Sequence, residues 1–172
     1  MRTTQLLTIT LAALGCSSAV VGCSSETRNS GQAESDVSRL VREYLRRDGL
    51  GEFRGHSEWL SDNVTFEPAG YDQGVIVQTA RIIRTSVEGD SGAVDVQYSW
   101  VGVLGVDSLG RSAVFPADSV ELVRFTLERT QEGWKIAGPD LPVHVEVRTV
   151  LQIPTLSAEE QARLQALLAS RP

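Results

Sequence analysis

A chain of 172 residues with net charge −6, 41% hydrophobic and 22% charged residues, has the length and mix of one globular domain and excludes wholesale disorder. The acidic balance argues against nucleic acid, since phosphates bind to a Lys/Arg surface, and offers no basic patch to anionic lipid. Both cysteines, Cys16 and Cys23, lie near the N-terminus, and His56 and His144 are the only imidazoles. The rest of the chain therefore has no disulfide, thiolate metal site or cysteine nucleophile. A multi-histidine zinc site would need carboxylates to complete it, and no metal or cofactor is called for.

Arg2 gives the chain a positive start, and residues 6–21 are apolar or small without charge. That is the plan of a secretory signal peptide, assigned to 1–22. The run is too short and too rich in Thr and Ser for a membrane span. Val20-Val21-Gly22-Cys23 resembles the bacterial lipobox. The resemblance implies a diacylglyceryl group on the Cys23 thiol, cleavage before it, and further acylation with chains such as palmitate. Ala13-Leu14-Gly15-Cys16 is the alternative, with Ala in place of Leu or Val and a shorter apolar run before it. Such an anchor places the protein outside the cytoplasm, on a cell membrane or an outer membrane. Ser24, rather than Asp, after the cysteine resembles the outer-membrane sorting pattern where two membranes exist. Two or three acyl chains hold far more firmly than one, at ~0.8 kcal/mol per buried methylene.

Residues 23–34 carry almost nothing apolar and read as a flexible tether. The domain then runs over 35–172. Val37, Leu40, Val41, Tyr44 and Leu45 draw one stripe on a helix over 36–47. Ser35 or Asp36 can cap that helix, and Asp48, Gly49 and Gly51 end it. Its arginines are a solvated face near a helix C-terminus, where cations are favoured. Residues 57–62 form a short helix with Trp59 and Leu60 inward, 64–66 a brief strand, and 68–74 a loop rich in Pro and Gly.

Period-two alternation then marks strands. The first covers 75–87 and turns at 88–92. The second covers 93–104, with Val94, Val96, Tyr98 and Trp100 on one face and a bend or bulge at Gly102 and Gly105. A strand over 111–115 meets Pro116. A hairpin over 119–138 puts Val123, Phe125, Leu127, Trp134 and Ile136 on its buried face. A further strand covers 143–153, and a helix after a capping box at 157–160 turns Leu164, Leu167 and Leu168 inward. The fold class is α+β: a curled antiparallel sheet of about five to six strands on an N-terminal helix, plus a C-terminal helix.

The helix DVSRLVREYLRR, the Trp59 segment, the bent strands and the motif RTQEGWKI resemble the nuclear-transport-factor-2-like family over about 36–138. The resemblance implies a cone-shaped sheet wrapped round the first helix, with an apolar pocket at its open end. Members include isomerases, dehydratases and polyketide cyclases beside binding domains without activity. This chain has only 68–74 where members carry a third helix, and it adds an extension over 142–172 that would plug the cone or form a partner face.

Enzymes of that family place an acid or base in the pocket, and His56 and Asp72 are the candidates here. A surface histidine at a helix start and an Asp in a turn are the simpler readings. His144 alternates with valines and is expected to be exposed, and Asp95, Glu121 and Glu128 are assigned to polar faces. Tyr44, Trp59, Tyr98, Trp100 and Trp134 belong first to the core and second to a pocket lining. No nucleophile-elbow, zinc-protease or phosphate-loop pattern occurs. The functional expectation is a membrane-anchored binding module for a partner protein or a small apolar ligand, without enzymatic activity. The alternatives are an isomerase- or dehydratase-type enzyme and a structural envelope protein.

Overall fold

Helix α1, Ser24–Gly49, is the first element of a computed structural model that describes residues 24–54, 57–67 and 73–169. Val37, Val41 and Tyr44 are buried and Leu40 and Leu45 half-buried, so the apolar stripe faces the sheet as its spacing dictates. The helix starts earlier than its stripe. Segment 24–34, expected as an irregular tether, has helical backbone. Residues 31–35 are mostly exposed and Val37 is the first buried one, because nothing before it is apolar enough to dock. At the other end Gly51 takes φ 73°, the left-handed turn that glycine allows without strain.

A short 3-10 turn, Glu52–Arg54, precedes α2, Glu58–Asn63. Leu60 is buried and Trp59 half-buried. The brief strand expected at 64–66 reduces to one bridge, Val64 to Ile136. Four long or medium strands follow: β1 Gly74–Glu88, β2 Ser91–Val106, β3 Ser112–Thr130 and β4 Gly133–Gly138. They pair antiparallel in chain order. A short β5, His144–Glu146, adds to the outer edge of β1 in parallel, giving the order β4-β3-β2-β1-β5. The chain is thus α+β, its curled sheet flanked by N- and C-terminal helices.

Pro116 does not interrupt its strand. It sits opposite Gly102, where the β2–β3 register shifts, and β4 pairs only with the far end of β3. A proline at a bulge beside an unpaired edge removes no ladder bond. The long strand expected over 143–153 ends at Glu146. Val147–Val150 is instead a helical turn, α3. Val147, Val150 and Leu151 fit helical spacing as well as alternation, and short apolar runs do not separate the two.

The sheet has two cores, one on each face. Val75 and Val77 join Val37, Val41, Tyr44, Val94, Val96, Tyr98, Phe125 and Ile136 on the α1 side. Ile76, between them, joins Val101, Leu104, Val145, Val147, Val150, Leu156 and Leu164 on the other. Alternate side chains of one strand leave on opposite faces, so this end of the sheet is covered twice. The C-terminal extension supplies the second cover through α3 and α4, Ala158–Ala169. The expected capping box forms: Ser157 Oγ donates to Glu160 Oε2 at 2.7 Å and accepts from the Glu160 N–H at 3.3 Å. Glu160 Oε1 also accepts from the Val114 N–H at 2.8 Å, which fixes α4 to β3.

Phe125 is fully buried and meets Tyr44 edge-on with ring centres 5.3 Å apart. Phe125→Ala should cost about 3–5 kcal/mol of stability and Leu164→Ala about 2–5 kcal/mol, both read from urea unfolding. A loss below about 1 kcal/mol at Leu164 would mean that the second core does not hold the fold together.

Candidate functional site

The stripe on α1 continues from Tyr44 by one more turn, and the next position is Asp48. A carboxylate thus stands where the periodicity demands an apolar side chain, and it is 1% exposed. Asp48 Oδ1 accepts a hydrogen bond from the His144 backbone N–H at 3.0 Å. Its Oδ2 lies 3.3 Å from His144 Nδ1, within ion-pair reach but out of line for a hydrogen bond, so neither atom is satisfied. The His144 ring stacks on Tyr98, centres 4.3 Å apart and planes 18° apart. The end of α1 is pressed onto the extension. Thr149 Oγ1 donates to the Gly49 carbonyl at 2.9 Å, and a Cβ on Gly49 would come within 2.9 Å of Glu146 Cγ.

Among the described residues, the buried side-chain polar atoms without a hydrogen-bond partner are Asp48 Oδ2, Tyr98 Oη, Trp100 Nε1 and His144 Nδ1. Each such atom costs about 1–3 kcal/mol when left unpaired. Three of the four belong to residues linked through His144, which touches both Asp48 and Tyr98, and the fourth is two residues along β2 from Tyr98. Burial pushes the Asp48 carboxyl above its ordinary value, with His144 pulling the other way. A helix C-terminus also disfavours a negative charge. Burial, reinforced by Asp48, pushes the Tyr98 hydroxyl well above 10.0, so it remains a donor. Tyr98 O–H and Trp100 N–H are two donors with nothing to donate to. Beside them the Asp48 carboxyl and the His144 imidazole face each other at 3.3 Å.

His144 is therefore not exposed, as strand alternation suggested, but 3% exposed. Both faces of the sheet are covered where β5 joins, so Val145 fills one core and His144 faces the other. Asp95 lies on the outer face as assigned, yet is nearly buried. The Arg124 guanidinium opposite covers it, with bonds of 2.7 and 3.0 Å, and holds its carboxyl below the usual range. Glu121 pairs in register with Tyr98 and so shares the inner face, two residues before Val123, rather than a polar one. Glu128 is exposed. His56, Asp72, Cys16 and Cys23 lie outside the described residues.

Tyr44 contacts Phe53, Trp59 and Phe125 in the core at 5.0, 6.2 and 5.3 Å. Tyr98 stacks on His144, and Trp100, two residues along β2, packs against the core beneath α1. Trp59 and Trp134 line a surface cleft of about 390 Å³ between α1, α2 and the β3–β4 turn. Ion pairs surround the cleft. Glu43, on its wall, is held at about 2, first by its hydrogen bond to Arg46.

No family model matches the chain, and no curated protein matches it. Among solved structures it is similar to a crystal structure of an NTF2-like protein with a cystatin-like fold from Novosphingobium aromaticivorans. The identity is 15%, over 84% of this chain and 93% of that one, with a TM-score of 0.37.

A raised Asp48 pKa means the folded state binds that proton more tightly than the unfolded state does. Its contribution is whole below about 3.8 and is lost as pH rises through the higher folded value. Asp48→Asn keeps an oxygen for the His144 N–H and removes the titration. The variant should melt above the parent at pH 7, with the difference closing toward pH 4. Carboxylates such as Asp95, lowered by partners, contribute equally to both proteins and cancel. Thermal melts at several pH values check this, and a variant less stable at pH 7 would show instead a buried ion pair worth keeping.

Proposed function

We propose that this protein is an exported, lipid-anchored binding module that holds a small, largely apolar molecule through a neutral acceptor group, without chemistry. The observation that carries the reading is the set of three unpaired buried polar residues joined through His144, with the unpaired Trp100 Nε1 two residues along β2 from Tyr98, against an aromatic and aliphatic core. Protein interiors leave few such groups unmatched. Ligand sites of this kind are mostly apolar, with a few placed polar groups that set orientation. Tyr98 and Trp100 offer donors, so the complementary atom is an acceptor. The Asp48 carboxyl beside them offers no positive charge, so a ligand carboxylate would be buried next to another acid without compensation. A carbonyl or ether oxygen fits. The anchor rests on Val20-Val21-Gly22-Cys23 and the uncharged run before it.

Proton transfer is a second reading, favoured by the 3.3 Å approach of Asp48 to His144. It moves the acid–base role from His56 and Asp72 to this pair. The two readings part on whether a bound compound is recovered unchanged.

Prodan, a neutral naphthyl ketone whose emission responds to hydrogen bonding, should bind the full chain saturably. Tyr98→Phe and Trp100→Phe should each weaken it by about fivefold, the worth of one hydrogen bond. Binding indifferent to both substitutions would sink the ligand reading. Palmitate label in the membrane fraction should vanish in Cys23→Ala and persist in Cys16→Ala. Label lost only in Cys16→Ala would move the anchor.

A further inference from the structure

We propose that the cleft between α1, α2 and the β3–β4 turn docks a basic side chain, arginine or lysine, presented by a partner protein. This site is separate from the buried cluster. It draws on the middle of α1, from Asp36 to Glu43, whereas Asp48 lies in the last turn of that helix and His144 on β5. Its volume of about 390 Å³ accommodates a long side chain. It is open to solvent, which suits a residue carried on a larger surface better than a free small molecule.

The chemistry of the walls selects the charge. Four carboxylates line the cleft, Asp36, Glu43, Asp62 and Glu132, against two cations, Arg39 and Lys135. Three of the four are already neutralised. Asp36 pairs with Arg39 at 3.2 Å, Glu132 with Lys135 at 2.7 Å, and Glu43 with Arg46 and Arg47 at 2.9 and 2.7 Å. Asp62 has no ion pair among the described residues and is exposed. An incoming anion would meet that unbalanced charge. An apolar group would have to desolvate the ion pairs around it. A cation is matched by Asp62 and by the Trp134 indole, since aromatic faces attract cations through their quadrupole.

The same chemistry already operates at the cleft wall. The Arg47 guanidinium lies 5.5 Å from the centre of the Trp59 ring, and Phe53 stacks on that ring at 5.7 Å with planes 19° apart. Trp59 is thereby fixed in place. Trp134, half-buried on β4, supplies the second indole.

Triarginine titrated into the isotope-labelled full chain is the test, read from the indole N–H signals of Trp59 and Trp134. Both signals should shift saturably with triarginine and not with triglutamate. The affinity should fall by about fivefold in Asp62→Asn, fall with added salt, and return in Asp62→Glu. Asp62 is exposed, so its substitution leaves the fold intact, and an unchanged affinity in Asp62→Asn would overturn the proposal. So would the absence of any saturable shift. The buried cluster is untouched by these variants, so Prodan binding should be the same in all of them.

Discussion

Three consecutive residues of β1 carry the architecture. Val75 and Val77 fill the core beneath α1, and Ile76 fills the core beneath the C-terminal extension. A strand whose neighbours alternate between two cores cannot slip by one residue, because every side chain would change sides. This pins the β1–β2 register where β5 joins. β5 then pairs parallel with these same three residues. The extension contributes His144 to the inner face and its apolar residues to the outer one, which turns a one-sided sheet into a two-sided one at that end.

Double coverage makes the polar cluster tenable and costly at once. His144 and Asp48 stay away from water because the extension and the end of α1 press together through Thr149, Gly49 and the His144 N–H. A core residue of the same size in place of Asp48 would avoid the desolvation. Unpaired polar groups inside an otherwise consistent core are where function is kept at the expense of stability. The cluster draws on three separate elements, α1, β2 and β5, so its geometry depends on the packing of the whole domain.

Helix α1 links the two sites. Its inner stripe builds the core, its last turn delivers Asp48, and its side at Asp36, Leu40 and Glu43 forms one wall of the cleft. The sites are therefore held on one rigid element, about 12 Å apart along its axis if counted from Leu40 to Asp48 at 1.5 Å per residue. No helix among the described residues is long and apolar enough to cross a membrane.

Local regularities were legible in the chain itself. The stripe on α1, the alternation of β1, β2 and the β3–β4 hairpin, the irregularity near Gly102 and the capping box at Ser157 follow from periods of 3.6 and 2 and from turn chemistry, which act between residues close in sequence. The candidate site was half legible: Asp48 interrupts a stripe it should continue, a signal masked by its equally good standing as a helix-ending residue. His144 gave no such sign, because alternation says which residues share a face and never whether both faces are covered. That was settled only when the extension folded back over Ile76, and the partnership of Asp48, Tyr98 and His144 followed. Residues 48, 98 and 144 are brought together by sheet order and layer packing, which depend on the free energy of burying whole surfaces rather than on any short-range pattern.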